Sequence, residues 1–388
     1  MNFIKSLYYS TRSAFFRLKN YLIYKNKTLE NYVTSKERPS AVVNLDKLLI
    51  TADSGRYSYI LCIYLSYCHF DVIVKTNWDF FEKLKFYQKL LLKQKYLFIK
   101  KSLTPINTIS LTGSNYKNKI ININYGYNSI TSKNLDCIAP YPMHPQNNKP
   151  FADLEKPADG IKTERTVKIF FSGNVDENLY NKELLKKEFN ILSRYEVIQF
   201  IKTEFTATSQ MQLIEDKFVL DNLMNSDSYT NEIIISKAKT AEQDWFKMLS
   251  KASFFICTPG VNAPWCHNSV EAMSVGTIPI LQYADLFYPA LEDKKNCLVY
   301  NDYDELQNVL KRALDMCATE IEIMRNNVFN YFNKYLSVES IAKKIKRFIN
   351  SDQSKIIVAI PYIKSDEDID NTNVSFRLKK SLLITEKE

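Results

Sequence analysis

Phe254-Phe255-Ile256-Cys257-Thr258-Pro259-Gly260-Val261-Asn262-Ala263-Pro264-Trp265-Cys266-His267-Asn268-Ser269-Val270-Glu271-Ala272-Met273-Ser274-Val275-Gly276-Thr277-Ile278-Pro279-Ile280 is the stretch whose reading decides the fold class. Its short apolar run, Ser253 to Cys257, predicts a buried strand, and Pro259-Gly260 a turn. A helix follows over Asn268 to Val275, stopped by Gly276, and a second buried strand over Ile278 to Leu281. A strand, a crossover helix and a strand in this order predict a parallel sheet wrapped by helices. In open sheets of that kind, ligands lie outside the carboxyl ends of the strands. The loop after Cys257 and the start of the next helix therefore border a ligand crevice. A helix start presents unbonded N–H groups and a positive dipole end, suited to a phosphate. Glu271, about one turn in, can accept from a hydroxyl pair such as that of a ribose. The same residue would equally serve as a cap in a plain packing unit.

Working outward, the same alternation recurs. Val167 to Phe171 reads as a strand ending at Ser172-Gly173-Asn174, followed by a helix over 178–193. Val197 to Phe200 and Glu232 to Ile235 read as strands, Thr240 to Ser250 as a helix and Cys297 to Tyr300 as the last strand. Helices are expected at 303–317, 319–335 and 338–350. Toward the N-terminus, Lys47 to Thr51 predicts a strand, Ala52 to Arg56 a loop, Tyr57 to Tyr67 a helix and Phe70 to Val74 a strand. A helix-like stretch covers 78–101, and Lys119 to Asn124 predicts another strand. Between the two series Pro140, Pro142, Pro145, Pro150 and Pro157 stiffen a connection. The expected organisation is a leader at 1–35, a first α/β domain at 36–139, a hinge at 140–163, a second α/β domain at 164–350 and a tail at 351–388. The fold class is α/β with two Rossmann-like domains.

Length and composition agree. At 388 residues the chain exceeds one ordinary core. With 45% hydrophobic and 24% charged residues it is globular rather than disordered. Only 7 glycines exclude a multi-glycine dinucleotide fingerprint and Gly-rich repeats. The formal charge of +9 is uneven: residues 1–30 hold six cations (Lys5, Arg12, Arg17, Lys19, Lys25, Lys27) against one acid, Glu30. A nucleic-acid binder more often spreads its basic face over the folded body. The leader also interleaves Phe3, Ile4, Leu7, Phe15, Phe16, Leu18, Leu22 and Ile23 with those cations, which as a helix suits an anionic membrane surface or packs on the body. It lacks the uninterrupted apolar core of a signal peptide, and Tyr59 to Val74 is broken by Ser66, His69 and Asp71 before spanning length. Seven cysteines without a CxxC pair and three histidines suggest neither a disulfide framework nor a zinc site, and a reducing cytosol is expected.

Residues 245–281 resemble the donor-binding segment of GT-B glycosyltransferases, most closely the exostosin-like family of bacterial surface-glycan type. The resemblance is carried by Thr258-Pro259-Gly260, Pro264-Trp265-Cys266-His267-Asn268, Glu271-Ala272 and Gly276-Thr277-Ile278-Pro279. Asp136-Cys137-Ile138-Ala139-Pro140 and Lys168-Ile169-Phe170-Phe171-Ser172-Gly173 are weaker echoes in the right order. The resemblance implies two domains facing each other across a cleft, with a nucleotide-sugar donor on the C-terminal one. It implies Glu271 at the ribose, with Ser172, Gly173, Asn174, Pro259, Gly260, His267, Asn268 and Ser269 around the diphosphate. It also implies no cofactor and no obligatory metal. Asn268 stands where the family often has Arg, leaving His267, Lys168 or Arg165 to supply the cation. A metal-dependent enzyme would need an Asp-x-Asp; Asp302-Tyr303-Asp304 has the spacing but opens a helix, where acids cap.

Sugar transfer with inversion needs a base for the attacking hydroxyl. Asp53, in the loop after Thr51, has the position for one, with Ser54 and Arg56 beside it for an acceptor and Gly55 permitting a positive φ. Asp53 would equally cap the next helix, and His144 in the hinge is the rival base. The expected partners are a nucleotide sugar, a glycan or lipid-linked acceptor and a membrane surface met by residues 1–30, with no nucleic acid. The expected location is cytoplasmic, peripheral on the inner face of the membrane. The competing expectation is a non-catalytic nucleotide- or glycan-binding scaffold on the same fold.

Overall fold

In the computed structural model the chain divides into two units, Met1–Pro142 with Val338–Tyr362, and Met143–Ser337 with Ile363–Glu388. The structure describes residues 11–23, 39–45, 55–75, 78–93 save 83, 97–99, 107–125 save 114 and 115, 137–138, and 162–360 save 182, 227, 239, 242, 243, 262, 353 and 354.

The first unit is built on β1 (Ser40–Asn44), β2 (Asp71–Lys75), β3 (Leu97–Ile99), β4 (Thr108–Gly113), β5 (Tyr116–Tyr125) and β6 (Cys137–Ile138). The strand Lys355–Ile360 joins them, giving the order β3-β2-β1-β4-β5-(355–360)-β6. β1, β2 and β3 run parallel, whereas β4 is antiparallel to both β1 and β5. The sheet is therefore mixed, with parallel strands on both sides of the antiparallel β4. The helix Arg56–Tyr67 buries every residue from Tyr57 to Leu65. Gly55 at its start has φ 89°, the left-handed conformation that glycine adopts without a Cβ penalty.

The C-terminal segment departs from the sequence expectation. Residues 338–350, assigned above to the second domain, form a helix of the first unit, and part of the expected tail is its strand 355–360. Tyr67 Oη donates to Glu339 Oε1 at 3.1 Å, and Lys119 Nζ donates to the carbonyls of Phe348 and Ser351. Strand 355–360 lies parallel to β5 on one side and to β6 on the other. The sequence reading left it in the tail, because its ladder partners Ile121 and Ile123 lie more than 200 residues away. The expected strand Lys47–Thr51 and nearly all of the hinge lie outside the described residues. The stretch 78–101 is a 3-10 turn at Trp78–Phe81, a helix at Phe86–Lys93 and β3.

The second unit carries β7 (Val167–Ser172), β8 (Met211–Ile214), β9 (Thr230–Ser236), β10 (Ala252–Ile256), β11 (Ile278–Leu281) and β12 (Leu298–Val299). Their order is β12-β11-β10-β7-β9-β8, and every pairing is parallel. All residues of β7, β10 and β11 are buried, as expected of strands covered on both faces. Phe170 and Phe171 of β7 meet Phe255 of β10, at ring centroids 5.9 and 6.3 Å apart.

Val197 to Phe200, read above as a strand, belongs to the helix Arg194–Thr206. Ser193 and Glu196 close a capping box at its start, and Val197, Ile198, Ile201 and Phe205 form its buried side. A four-residue window showed two of these apolar positions and none of the helical spacing. The expected helix 178–193 is two short ones, Glu177–Tyr180 and Glu183–Phe189.

Candidate functional site at the switch between β7 and β10

From β7 the chain moves outward to β8 and β9 on one side of the sheet, then crosses to β10, β11 and β12 on the other. The reversal falls between β7 and β10, which are hydrogen-bonded neighbours. Parallel strands diverging from such a switch leave a crevice at their carboxyl ends. Ser172, Gly173 and Asn174 end β7, and Cys257 to Cys266 leads from β10 into the helix His267–Ser274. Two segments far apart in sequence are thus brought to the carboxyl ends of neighbouring strands.

The loop after β10 folds back on itself. Gly260 N donates to Pro264 O at 3.3 Å, and a Cβ on Gly260 would lie 2.8 Å from Ala263 O and 3.0 Å from Trp265 O. Both neighbours are backbone, so the turn admits only glycine without rearrangement. The helix then opens at Cys266, which is extended and makes no side-chain cap bond. His267 and Asn268 stand on its first turn, partly exposed. Ser269 is fully buried, and its Oγ donates to Cys266 O at 2.7 Å. Its hydroxyl therefore stabilises the helix start from inside.

Glu271 is 0% exposed, and Trp245 Nε1 donates to its Oε2 at 2.7 Å. Trp245 opens the helix Trp245–Ser250 and meets Phe255 edge-on at 6.0 Å. A buried carboxylate is expensive unless bonded, and the indole N–H supplies a donor at a position no sequence motif announced.

Arg194, which the sequence reading missed, is a cation that touches all three of these segments. It is 5% exposed. Its Nε donates to Pro259 O at 3.2 Å, Nη1 to Asn174 O at 3.2 Å and Nη2 to Cys266 Sγ at 3.3 Å. The guanidinium lies 4.0 Å from the Tyr180 ring centroid. One planar fork thus ties the end of β7, the turn after β10 and the start of the helix together. The available signal was Ser193-x-x-Glu196, a capping box that sets Arg194 on the first turn of a helix.

Of the cations suggested from sequence, His267 stands on the first turn of the helix His267–Ser274, whereas Arg165 and Lys168 sit elsewhere. Arg165 precedes β7, at the opposite end of the strand. It donates to Leu249, Ser250 and Val275 carbonyls and to Thr277 Oγ1. Lys168 donates to Met316 O at 2.6 Å, and burial lowers its ammonium pKa. Burial also raises the Cys257 thiol well above its usual range, so it is a packing group rather than a nucleophile.

On the first unit, Arg56 stands at the helix start with its guanidinium 5.0 Å from the Tyr87 ring centroid. Asp53, Ser54 and His144 lie outside the described residues. Asp302 is the N-cap of Tyr303–Asp315 and accepts from Glu305 N at 2.8 Å, so Asp302-Tyr303-Asp304 has the capping role weighed above. A cavity of about 870 Å³ opens farther along the second unit, where Gln282, Asp285, Asp293, Asn301, Glu305 and Arg312 contribute to its wall.

No family model matches the chain, and no curated protein matches it. Among solved structures it is similar to Anabaena Alr3699/HepE in complex with UDP and glucose, at 9% identity over 80% of this chain and 99% of that one, with a TM-score of 0.37. It is also similar to a UDP-forming alpha,alpha-trehalose-phosphate synthase from Burkholderia xenovorans, at 12% identity over 74% of this chain, with a TM-score of 0.30. TarM matches at 12% identity over 80% of this chain and 50% of that one, with a TM-score of 0.30. The chain spans less than two thirds of the first trehalose-phosphate synthases it matches, 63% and 43%. Likenesses this slight define no family. The class rests on the two sheets themselves: a two-unit α/β protein with a parallel-sheet switch point in the second unit.

Proposed function

We propose that this chain is a glycosyltransferase of GT-B architecture, moving a sugar from a nucleotide-sugar donor to a surface-glycan acceptor such as a polysaccharide, lipopolysaccharide or glycolipid. The observation that carries the reading is the convergence of Ser172–Asn174, Pro259–Gly260 and the His267–Ser274 helix at the β7–β10 switch. In this reading the donor diphosphate meets the helix start at His267 and Asn268, where N–H groups and the dipole stabilise the leaving group without an obligatory metal. Glu271, fixed by Trp245, holds the ribose through its carboxylate in this reading. Asp53 or His144 takes the acceptor proton, with Ser54 and Arg56 holding the acceptor. The enzyme would work in the cytoplasm, beside the membrane that carries its acceptor.

The test is a thermal-shift panel of UDP, GDP, ADP, CMP and TDP on wild type and Glu271→Ala. A bound nucleotide raises stability by about 2.7 kcal/mol at a hundredfold excess over Kd. One nucleotide stabilising wild type and not the variant supports the reading and names the donor class. No shift with any of them, together with no transfer from any common nucleotide sugar, removes it.

The complete burial of Glu271 favours a second reading, a nucleotide- or glycan-binding scaffold in which the Trp245–Glu271 bond serves packing alone. Asp53→Ala and His144→Ala separate the two, because an enzyme loses rate while nucleotide affinity survives.

A further inference from the structure

The helix over residues 11–23 is inside out. Ser13, Arg17, Asn20 and Tyr21 fall on one side at helical spacing and are its less exposed residues. That side meets the first unit: Arg17 Nη2 lies 2.7 Å from Glu82 Oε2, Asn20 Nδ2 donates to Phe81 O at 2.8 Å, and Tyr21 meets Phe81 edge-on at 5.6 Å. Phe15, Leu18, Leu22 and Ile23 point away, at 62%, 49%, 58% and 53% exposure, with Phe16 at 38%. A surface helix normally turns its apolar stripe to the core and its charges to water. Here an ion pair and an amide face the protein while the apolar residues face out.

Two cations share the outer side. Arg12 and Lys19 are exposed, and the Arg12 guanidinium lies 5.7 Å from the Phe16 ring centroid. Residues 1–29 contain no Asp or Glu. Apolar side chains interleaved with cations and free of acids match the boundary between lipid headgroups and acyl chains. A second copy of the chain fits less well, because a symmetric pairing of this face would bring the same cations together. Among the described residues no helix is long and apolar enough to cross a membrane.

We propose that the helix 11–23 lies flat on an anionic lipid surface, with Phe15, Leu18, Leu22 and Ile23 in the headgroup boundary and Arg12 and Lys19 against lipid phosphates. The Arg17–Glu82 and Asn20–Phe81 contacts fix this face outward, so the first unit is held at the surface by a rigid element. The docking stands on the helix alone. Its success with failure of the nucleotide panel removes only the glycosyltransferase reading, and the reverse removes only the docking.

The experiment is flotation of the full chain with vesicles of phosphatidylglycerol and phosphatidylcholine, against pure phosphatidylcholine. Wild type is expected to float with the anionic vesicles and not with the neutral ones. Arg12→Gln with Lys19→Gln should weaken partitioning about 25-fold at low salt, from about fivefold per cation near the surface. Phe15→Ser with Leu22→Ser should weaken it more than tenfold, while Phe218→Ser, at an exposed phenylalanine of the second unit, leaves it unchanged. Thermal melts of these solvent-facing variants should match wild type, which separates lost docking from lost folding. No flotation of wild type, equal flotation on neutral vesicles, or an unchanged Phe15→Ser/Leu22→Ser variant overturns the proposal. So does a wild-type dimer in ultracentrifugation that this variant abolishes, because the face then joins two copies.

Discussion

Trp245 Nε1 donates to Glu271 Oε2 at 2.7 Å across 26 residues of sequence, and that carboxylate has no solvent exposure. Trp245→Phe leaves an aromatic ring beside Phe255 and removes the donor. A hydrogen bond to a charged group contributes about 1.5–3 kcal/mol, so the second unit should lose stability of that order. Urea unfolding measures it, and Glu271→Gln combined with Trp245→Phe should cost less than the two single changes added, because they share one bond. Additive costs would show that the pair is not coupled.

Arg194→Lys should behave almost as Arg194→Ala. An ammonium cannot reach Pro259 O, Asn174 O and Cys266 Sγ together, whereas the guanidinium fork does. Both variants should destabilise the second unit by about 1.5–3 kcal/mol, the contribution of hydrogen bonding to a charged group. Hydrogen exchange should speed up in 257–266 and 172–174 and leave the first unit unchanged. A Lys variant as stable as wild type would show that the three-way tie is unimportant.

Gly260→Ala should be harmful although its backbone is ordinary. The added methyl would press on two backbone carbonyls, which move only with the whole turn. Overpacking of this kind costs about 1–3 kcal/mol. Gly173→Ala is the comparison, because its Cβ would find Phe171 and Arg194 side chains at 3.4 and 3.6 Å, near ordinary contact. Thermal denaturation of the two variants should rank Gly260→Ala clearly below Gly173→Ala.

Ending the chain at Ser337 should abolish folding of the first unit, which loses the helix 338–350 and the strand between β5 and β6. Ending it at Tyr362 should not. Circular dichroism and limited proteolysis distinguish the outcomes: the shorter product should show a protected second unit and a digested first one. Equal protection of both units in the shorter product would contradict the shared sheet.

The first unit should weaken in alkali. Burial raises the Tyr59 phenol from 10.0 to about 12, and burial raises the Cys68 thiol from 9.0 to about 11. In each case the unfolded chain loses its proton first, so stability is fully present below the unfolded value and falls as pH rises toward the folded one. The decline should run from about pH 9 to about pH 12, and Tyr59→Phe should flatten its upper part. A midpoint independent of pH across that window would refute the assignment.

Much of the second unit was legible in the residues. Short apolar runs bounded by Pro-Gly, Ser-Gly-Asn and Gly-Thr announce β7, β10 and β11, because strands buried on both faces must be continuously apolar. The helix Arg194–Thr206 was less so, since its buried positions overlap a strand-like run when read four residues at a time. The candidate site was half legible. Its turn and helix start lie in one contiguous stretch, whereas Trp245 and Arg194 reach it from other elements, and no local spacing marks a side chain as the partner of something distant.

The sequence by itself determined the α/β class, the positions of the buried parallel strands, the turn at Pro259-Gly260 and the cationic, acid-free character of residues 1–29. These follow from local chemistry: hydrophobic period, turn geometry and charge. Only the tertiary structure decided that β7 and β10 are neighbours, that Glu271 is buried against Trp245, that Arg194 rather than Arg165 or Lys168 stands at the strand ends, and that residues 338–360 complete the first sheet. It also decided which side of the leader helix faces outward. Those outcomes depend on which surfaces meet, and an apolar or charged residue carries no local record of the distant group that will cover it.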